Sequence, residues 1–409
     1  MKIRKELVSG IFNYIVSISL AVVFALFLDA RVGWFMVAAF VAAPIVSVLL
    51  TLIFSKKIYI TSDHVPVTIA KGDTAEVYIT VGNGLWLPSP PVYLEGRQVI
   101  GADCPEHSFS CSVLPLSEEN ITLKYRAKIS GPYDVGIEKA VIKDYFGIFS
   151  FRLKNADPEK LKVRINVIPD ISDVPFTNTV FRTAAQLSAT ADDSEDTVSV
   201  SNALSGGFPG YDNREYVPGD PLKRINWKQS AKRGTLLVRK DDEAAASSIS
   251  VILDGIFDTQ NADQTLFHTS PKLMGNSVEE LMQLAVQWAV EYSLGMTRSF
   301  ILENYSVTYF YADKNGWQYV PVTDDNELVR LQTSLASFAC RSDGALSRLP
   351  TDELAEQKGS VSVFCTPYYD EKLRNELADA TGETGKGSLQ AVVASAVTVR
   401  GLYEEGDDI

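Results

Sequence analysis

The sequence predicts a multidomain fold: a two-helix transmembrane hairpin, then a small antiparallel β sandwich, then an α/β domain. Three observations support this fold class. Two stretches near the N-terminus carry no charged residue, short alternating apolar runs follow them, and strand patterns alternate with helix patterns in the last part of the chain. The predicted boundaries are 1–57 for the hairpin, 58–170 for the sandwich, 171–209 for a flexible linker, 210–248 for a basic segment and 249–409 for the α/β domain.

The hairpin is predicted from the length of two stretches that contain no charged residue. Val8–Leu28 is uncharged over 21 residues and Gly33–Phe54 over 22. At about 1.5 Å per residue, each helix is long enough to cross a hydrocarbon core of about 30 Å. Two buried core helices or a cleaved signal peptide are the alternatives. Core helices seldom stay uncharged for so long, and the apolar part of a signal peptide is about 7–15 residues, so the sequence favours two membrane spans.

The flanking charges predict the orientation of this hairpin. Lys2, Arg4 and Lys5 precede the first span, Lys56 and Lys57 follow the second, and the short loop between the spans has no net charge. Because Lys and Arg are in excess on the cytoplasmic side of a membrane, both ends of the hairpin and the soluble domains are predicted to be cytoplasmic. The opposite orientation stays open, since the charge counts are small.

The region after the hairpin has the pattern of β-strands. The stretch 65–83, VPVTIAKGDTAEVYITVGN, alternates apolar and polar residues on both sides of a Lys-Gly-Asp turn. Further runs, ITLKYRAKI, YDVGIEKAVI and KVRINVIP, are separated by Gly, Pro and Asn/Asp clusters, as is typical of an antiparallel sandwich. The next stretch, AAQLSATADDSEDTVSVSNALSGG, has few large apolar residues and is predicted to be a flexible linker.

The last part of the chain alternates strands and helices. SISVILDG reads as a buried strand that ends at Asp254, and Ser277 with Glu280 forms a capping box at the start of a helix. Such alternation predicts a largely parallel sheet with helices on both faces. Ligands bind at the carboxyl ends of the strands in these sheets, which is where Asp254 and Asp258 lie.

The segment 210–240, GYDNREYVPGDPLKRINWKQSAKRGTLLVRK, is the most distinctive part of the sequence. Residues 214–240 hold eight basic and two acidic residues in a chain whose net charge is −13. This segment resembles the signature of the domain-of-unknown-function-58 family, which is roughly R-E-Y, P-G-D, a basic pair before I-x-W-K, and A-R-x-G-x-L-x-V-R. Two upstream stretches, SGPYDVG at 130–136 and DYFGIF at 144–149, resemble that family's R-G-x-Y-x-L-G and D-P-F-G-L-F.

The resemblance covers most of the chain in the family's order, with mild departures. The sequence has Ser130 in place of Arg, Tyr145 in place of Pro, Asn226 in place of His or Asp, and Lys232 in place of Arg. The positions that the resemblance marks as a signature and partner-binding surface are Arg214, Glu215, Tyr216, Gly219, Asp220, Arg224, Trp227, Lys228, Arg233 and Arg239.

The resemblance implies a fold, a role and partners. Members are membrane-anchored bacterial proteins whose C-terminal half is similar to von Willebrand factor A-type, Rossmann-type domains. They are commonly encoded beside a MoxR-type AAA+ ATPase and often beside a membrane transglutaminase-like protein, and no enzymatic activity is established for them. The chain is therefore expected to be a non-catalytic adaptor that needs no cofactor and works with such an ATPase at the membrane.

Other uses of the basic segment remain open. Its cations can pair with acidic residues of the same chain, with a partner protein or with anionic lipid. Nucleic acid is a further alternative, because aromatic residues interleave the cations. The acidic total argues against nucleic-acid binding, since phosphates favour basic surfaces.

The metal and enzyme hypotheses are weaker. A-type domains that bind a divalent ion begin with Asp-x-Ser-x-Ser, whereas this chain has Asp254-Gly-Ile-Phe-Asp258. With both serines missing, Asp254 and Asp258 form only a degenerate candidate for an ion that prefers about six oxygen ligands, and no metal site is expected. A metal-dependent ligand-binding domain stays as the alternative. Cys365 is predicted at a strand end, but no motif places any of the three His beside it, so cysteine catalysis is not expected.

Overall fold

The computed structural model describes residues 2–27, 30–63, 65–193, 209–215, 230–232, 234–241, 248–255, 264–270, 272–313, 316–340, 347–350, 354, 361–381 and 390–398. The chain divides into two compact units, Met1–Ile168 and Pro169–Ile409.

The first unit begins with two helices, α1 (Lys2–Phe27) and α2 (Ala30–Lys57). They pack closely side by side: the Tyr14 hydroxyl donates a hydrogen bond to the Phe40 carbonyl. A Cβ atom on Gly33 would lie 2.1 Å from the Cα atom of Ala25, so this close approach requires glycine.

One helix in the described chain is long and apolar enough to cross a membrane. It is Arg31–Lys57, with 27 residues; its most apolar window has a mean hydropathy of 2.6, and 17% of that window is buried. The apolar stretch of α1 with described side chains, Tyr14–Phe27, is shorter. The predicted two-helix transmembrane hairpin is therefore wrong: the described residues contain one such span.

The strands of the first unit form two sheets. Within the described residues, they are β1 (Ile58–Ser62), β2 (Val67–Ala70), β3 (Thr74–Asn83), β4 (Val92–Gly96), β5 (Ala102–Asp103), β6 (Ser108–Cys111), β7 (Glu118–Ala127), β8 (Gly131–Lys143), β9 (Ser150–Arg152) and β10 (Lys162–Ile168). One sheet has the order β1-β3-β7-β5, and the other has β2-β10-β8-β4-β6 with β9 paired to β8. The Tyr125 hydroxyl of β7 lies 3.3 Å from the Gly136 carbonyl oxygen of β8. The two sheets therefore face each other as a sandwich.

The sequence predicts a purely antiparallel sandwich, but the structure contains one parallel pair of strands. Strand β2 pairs with β10 in parallel, with Val67 opposite Ile165. Alternation of apolar and polar residues is the same in parallel and antiparallel edge strands, so the pattern does not distinguish them.

The second unit contains a two-stranded pair and a larger sheet. The pair is β11 (Pro209–Glu215) with β12 (Leu237–Asp241), in antiparallel register. The larger sheet has β13 (Ser248–Leu253), β14 (Ser306–Asp313), β15 (Gly316–Val322), β16 (Val361–Tyr369) and β17 (Gln390–Thr398) in the order β15-β14-β13-β16-β17. All its neighbouring strands are parallel except β15, which is antiparallel to β14.

Helices cover both faces of this sheet. They are α3 (Thr179–Asp193), α4 (Gln264–Thr269), α5 (Val278–Leu302), α6 (Asp325–Leu335) and α7 (Glu371–Thr381). Side chains of α3, α5 and α6 share one core with Val251 of β13. The next residue, Ile252, points to the other face and packs with Leu373 and Leu377 of α7. This is the alternation expected of a strand covered on both sides.

The predicted von Willebrand factor A-like, Rossmann-type fold class is wrong for this chain. The sheet of the second unit is of mixed type, and ten of the 17 strands in the described chain belong to the β sandwich. The predicted linker 171–209 also contains structure: α3 lies within it, and Val174, Phe181 and Ala184 are buried in the core of the second unit. Residues 194–208 lie outside the described residues.

Candidate functional site

A buried polar cluster lies where β13 and β16 end. Asp254 directly follows β13 and is 0% exposed. Thr366 belongs to β16, and Asp370 follows that strand and caps α7, because its Oδ1 atom accepts a hydrogen bond from the Leu373 amide at 2.9 Å. Arg348, which is 4% exposed, reaches all three side chains. We call these four residues the Asp254 cluster.

Arg348 holds the cluster together with each nitrogen of its guanidinium group. Its Nε atom lies 3.1 Å from Asp254 Oδ2, and its Nη2 atom also contacts that oxygen. Its Nη1 atom lies 2.8 Å from Asp370 Oδ1. The Thr366 hydroxyl donates to Asp254 Oδ2 at 2.7 Å. The Asp254 carboxylate is thus paired with a cation and a hydroxyl, as a buried charge requires.

The carboxylates around Arg348 stabilise its charged form. Burial alone lowers the pKa of Arg348, but the nearby carboxylates of Asp254, Asp370 and Glu376 outweigh burial and raise it above its ordinary value. Arg348 therefore stays charged at every physiological pH and remains paired with Asp254.

The donor set around Asp254 does not fit a divalent ion. A positive guanidinium already occupies Oδ2 of Asp254, so an incoming cation would be repelled at short range. Within the described residues, no three His, Cys, Asp or Glu side chains are grouped to hold a metal. Asp258, the second residue of the degenerate candidate, lies outside the described residues.

The thiols near the cluster are not activated. Cys365 lies inside β16, not at its end, and is fully buried. Burial raises the pKa of Cys365 and of Cys340, and the charge of Asp254 raises that of Cys340 further. Both thiols are protonated at neutral pH, so neither is a ready nucleophile.

Part of the signature segment is described. Arg214 and Glu215 lie in β11 and Arg239 lies in β12, with Arg214 opposite Val238 in the antiparallel register. The amide of Leu237 donates to Ser230 Oγ at 2.8 Å, which secures the start of β12. The remaining signature positions lie outside the described residues: Tyr216, Gly219, Asp220, Arg224, Trp227, Lys228 and Arg233.

The upstream motif at 144–149 fastens the sandwich to α2. Asp144 is buried, and its Oδ2 atom accepts a hydrogen bond from the Ser47 hydroxyl at 3.1 Å. The Tyr145 amide lies 3.1 Å from the same Ser47 oxygen. The motif is thus in direct contact with the helix that is apolar enough to cross a membrane.

Sequence reasoning missed most of the Asp254 cluster. Asp370 had a usable signal, because it precedes the helical run EKLRNELADA as an N-cap residue does. Arg348 and Thr366 had none: Arg348 lies outside any helix or strand pattern, and Thr366 lies in a continuous apolar strand.

Comparisons with known proteins do not assign this chain to a family. No family model matches it, and no curated protein matches it. Similar solved structures include an alpha-2-macroglobulin mutant from Salmonella, with 17% identity over 27% of this chain and 7% of that chain, at a TM-score of 0.19. They also include CaCohA2 from Clostridium acetobutylicum, with 10% identity over 27% of this chain and 91% of that one, at a TM-score of 0.19. A third is the CARDB domain of a Pyrococcus furiosus protein in complex with di-metal ions, with 15% identity, coverages of 27% and 86%, and a TM-score of 0.18. Scores this low assign neither fold nor function.

Proposed function

We propose that this chain is a non-catalytic accessory protein that α2 anchors in a membrane and that binds partner proteins on the cytoplasmic side. The observation that carries the proposal is the apolar surface of α2. Large apolar side chains along the helix are exposed, among them Ile45 and Leu49 at 60% and 57%. A continuous apolar surface of this kind is unfavourable in water and favourable in lipid.

The end of α2 supports a cytoplasmic orientation. Lys56 and Lys57 close the helix, and the sandwich follows at once. The Asn155 side-chain amide donates to the Lys56 carbonyl at 3.0 Å, and the Gly84 amide donates to the Lys57 carbonyl at 3.4 Å. Because positive residues stay on the cytoplasmic side, the sandwich is expected there too.

The state of the reactive groups supports a binding role over a catalytic one. Asp254 lies where an α/β sheet would hold a ligand, but Arg348 neutralises it. The thiols of Cys340, which is half-buried, and of Cys365, which is buried, are protonated. Neither the carboxylate nor the thiols are prepared to act as nucleophile or base.

The partner is proposed from the sequence alone. The resemblance of 210–240 to the domain-of-unknown-function-58 signature supports a MoxR-type AAA+ ATPase, with a membrane transglutaminase-like protein as a second candidate. No cofactor is part of the proposal. Nucleic acid is not an expected partner, because the chain carries a net charge of −13.

Co-purification tests this partnership. The full chain is purified from membranes in mild detergent, with and without ATP, beside the variant Arg224→Glu/Lys228→Glu and the control Lys124→Glu/Arg164→Glu. Both variants change the charge equally, but the control residues are exposed on the sandwich. We expect the parent and the control to retain an AAA+ protein and the signature variant to lose it at least about tenfold. The partnership is wrong if the parent retains no AAA+ protein in either nucleotide state.

A further inference from the structure

The loop Asp144–Phe149 contacts α2 well before the helix ends. Ser47 is the residue that the loop binds, and it lies ten residues before Lys57, about 15 Å along the helix axis at about 1.5 Å per residue. The Tyr145 ring also packs edge-on against Phe54, with 6.4 Å between the ring centroids. The loop therefore lies alongside the apolar helix and not at its tip.

The loop presents aromatic side chains outward at this level. Phe146 and Phe149 are 42% and 49% exposed, and Tyr145 is also exposed. One side of the Phe146 ring contacts Tyr14 of α1, with 6.1 Å between the ring centroids. The same helix exposes apolar side chains such as Leu49 nearby in the sequence. Aromatic side chains of this kind are enriched where a bilayer meets water, because their rings suit the boundary between apolar and polar layers.

Several backbone amides of the loop are hydrogen-bonded within the loop. The Asp144 carboxylate accepts hydrogen bonds from the Phe149 amide at 2.7 Å and from the Phe146 amide at 3.3 Å. The main chain of Asp144 bonds to Phe149 O at 3.0 Å and to Gly147 N at 2.9 Å, and Gly147 closes the turn with a φ of +69°. A loop exposed only to water can leave such groups to the solvent. Pairing of these amides lowers the cost of moving the loop into an apolar layer.

We propose that the 144–149 loop inserts the rings of Phe146 and Phe149 into the lipid of the membrane that α2 crosses. The proposal rests on the proposed membrane anchor and adds a second attachment point to it. The partner is the lipid bilayer, because the loop is continuous with the apolar helix through Ser47. Two attachment points restrict how the sandwich tilts against the membrane, which a helix alone does not.

Spin labels at single cysteines test the depth of the loop. The four native cysteines are replaced by alanine, and the full chain is labelled at Phe146→Cys or Phe149→Cys and reconstituted into phosphatidylcholine vesicles. Collision with oxygen, which concentrates in lipid, is compared with collision with a water-soluble nickel chelate. Leu49→Cys on α2 serves as the lipid reference. Ile100→Cys serves as the water reference. Ile100 is exposed and follows Gly96, the end of β4 that lies away from the loop.

We expect labels at 146 and 149 to collide more with oxygen than with nickel, as the label at 49 does, while the label at 100 shows the reverse. If 146 and 149 behave like 100 while 49 remains in lipid, the insertion proposal fails and the anchor stands. Protection of 146 and 149 from both reagents would mean that protein covers the loop, and this too overturns the proposal. If the label at 49 itself collides mainly with nickel, the anchor fails and the insertion fails with it.

Discussion

Asp254 and Arg348 lie 94 residues apart in the sequence and meet at one carboxylate oxygen. The position of Asp254 could be predicted, because an apolar strand followed by Asp marks the ligand edge of an α/β sheet. Its partner could not. Arg348 comes from a connecting segment without periodicity, and only the folded chain brings it to β13.

Removing the Arg348 side chain should be strongly destabilising. In Arg348→Met the Asp254 carboxylate stays buried without a cation, which costs about 3–5 kcal/mol of unfolding free energy. Adding Asp254→Asn should recover part of this loss, because it removes the uncompensated charge. Thermal unfolding of the purified chain in detergent measures both effects. The matched control Arg164→Met removes an exposed ion pair with Asp134 and should change little. Equal effects of the two Arg variants would contradict the role of the cluster.

Cys111 should make the fold sensitive to alkali. Burial raises the pKa of its thiol from 9.0 to about 11, with a further contribution from the charge of Glu119. Since the folded pKa lies above the unfolded value, the full stability is present below pH 9 and decreases as the pH rises toward about 11. The difference in unfolding midpoint between the parent and Cys111→Ala should therefore change across this window. If the unfolding midpoints of the two proteins change in parallel from pH 8 to the alkaline end of the window, Cys111 does not contribute to the pH dependence of stability.

At the scale of elements, local signals predicted well and long-range ones did not. The N-cap half of the predicted capping box is confirmed: Ser277 Oγ accepts a hydrogen bond from the Glu280 amide at 3.2 Å, at the start of α5. The Glu280 carboxylate accepts a hydrogen bond from the Asn276 amide at 2.8 Å, one residue before the position that a capping box uses. Cap residues can be read from sequence because both partners lie within one turn. The parallel pairing of β2 with β10 joins strands that are far apart in the sequence, so no local pattern predicts it. The region of α3 has the composition of a linker because it contains few large apolar residues, and Phe181 is one of them.

Loss of the α5 cap should cost about 1 kcal/mol of unfolding free energy. In Ser277→Ala the Glu280 amide loses its acceptor, whereas Ser277→Asp keeps an acceptor oxygen and adds a favourable charge at the helix N-terminus. Thermal unfolding of the three proteins side by side gives the comparison. An alanine variant as stable as the parent, or an aspartate variant as unstable as the alanine one, would argue against the cap.

At the scale of the whole molecule, the sequence located the helix that is apolar enough to cross a membrane more reliably than it gave the number of such helices. The uncharged run at 33–54 lies within α2, the helix that can cross a membrane, but the number of spans differs from the prediction. Absence of charge indicates that a segment is apolar and does not show how much of its length is free to face lipid. Each unit has its own β-sheet framework, and the folded body follows the lysines that end α2.

The most direct test of the account asks on which side of the membrane the folded units lie. In a chain without native cysteines, Glu138→Cys in the first unit and Arg330→Cys in the second place single thiols at exposed positions. Spheroplasts that express each variant are treated with a membrane-impermeant maleimide before and after permeabilisation. A membrane-anchored protein with a cytoplasmic body gives labelling of both thiols only after permeabilisation. Labelling of either thiol in intact spheroplasts, or recovery of the chain in the soluble fraction, would contradict it.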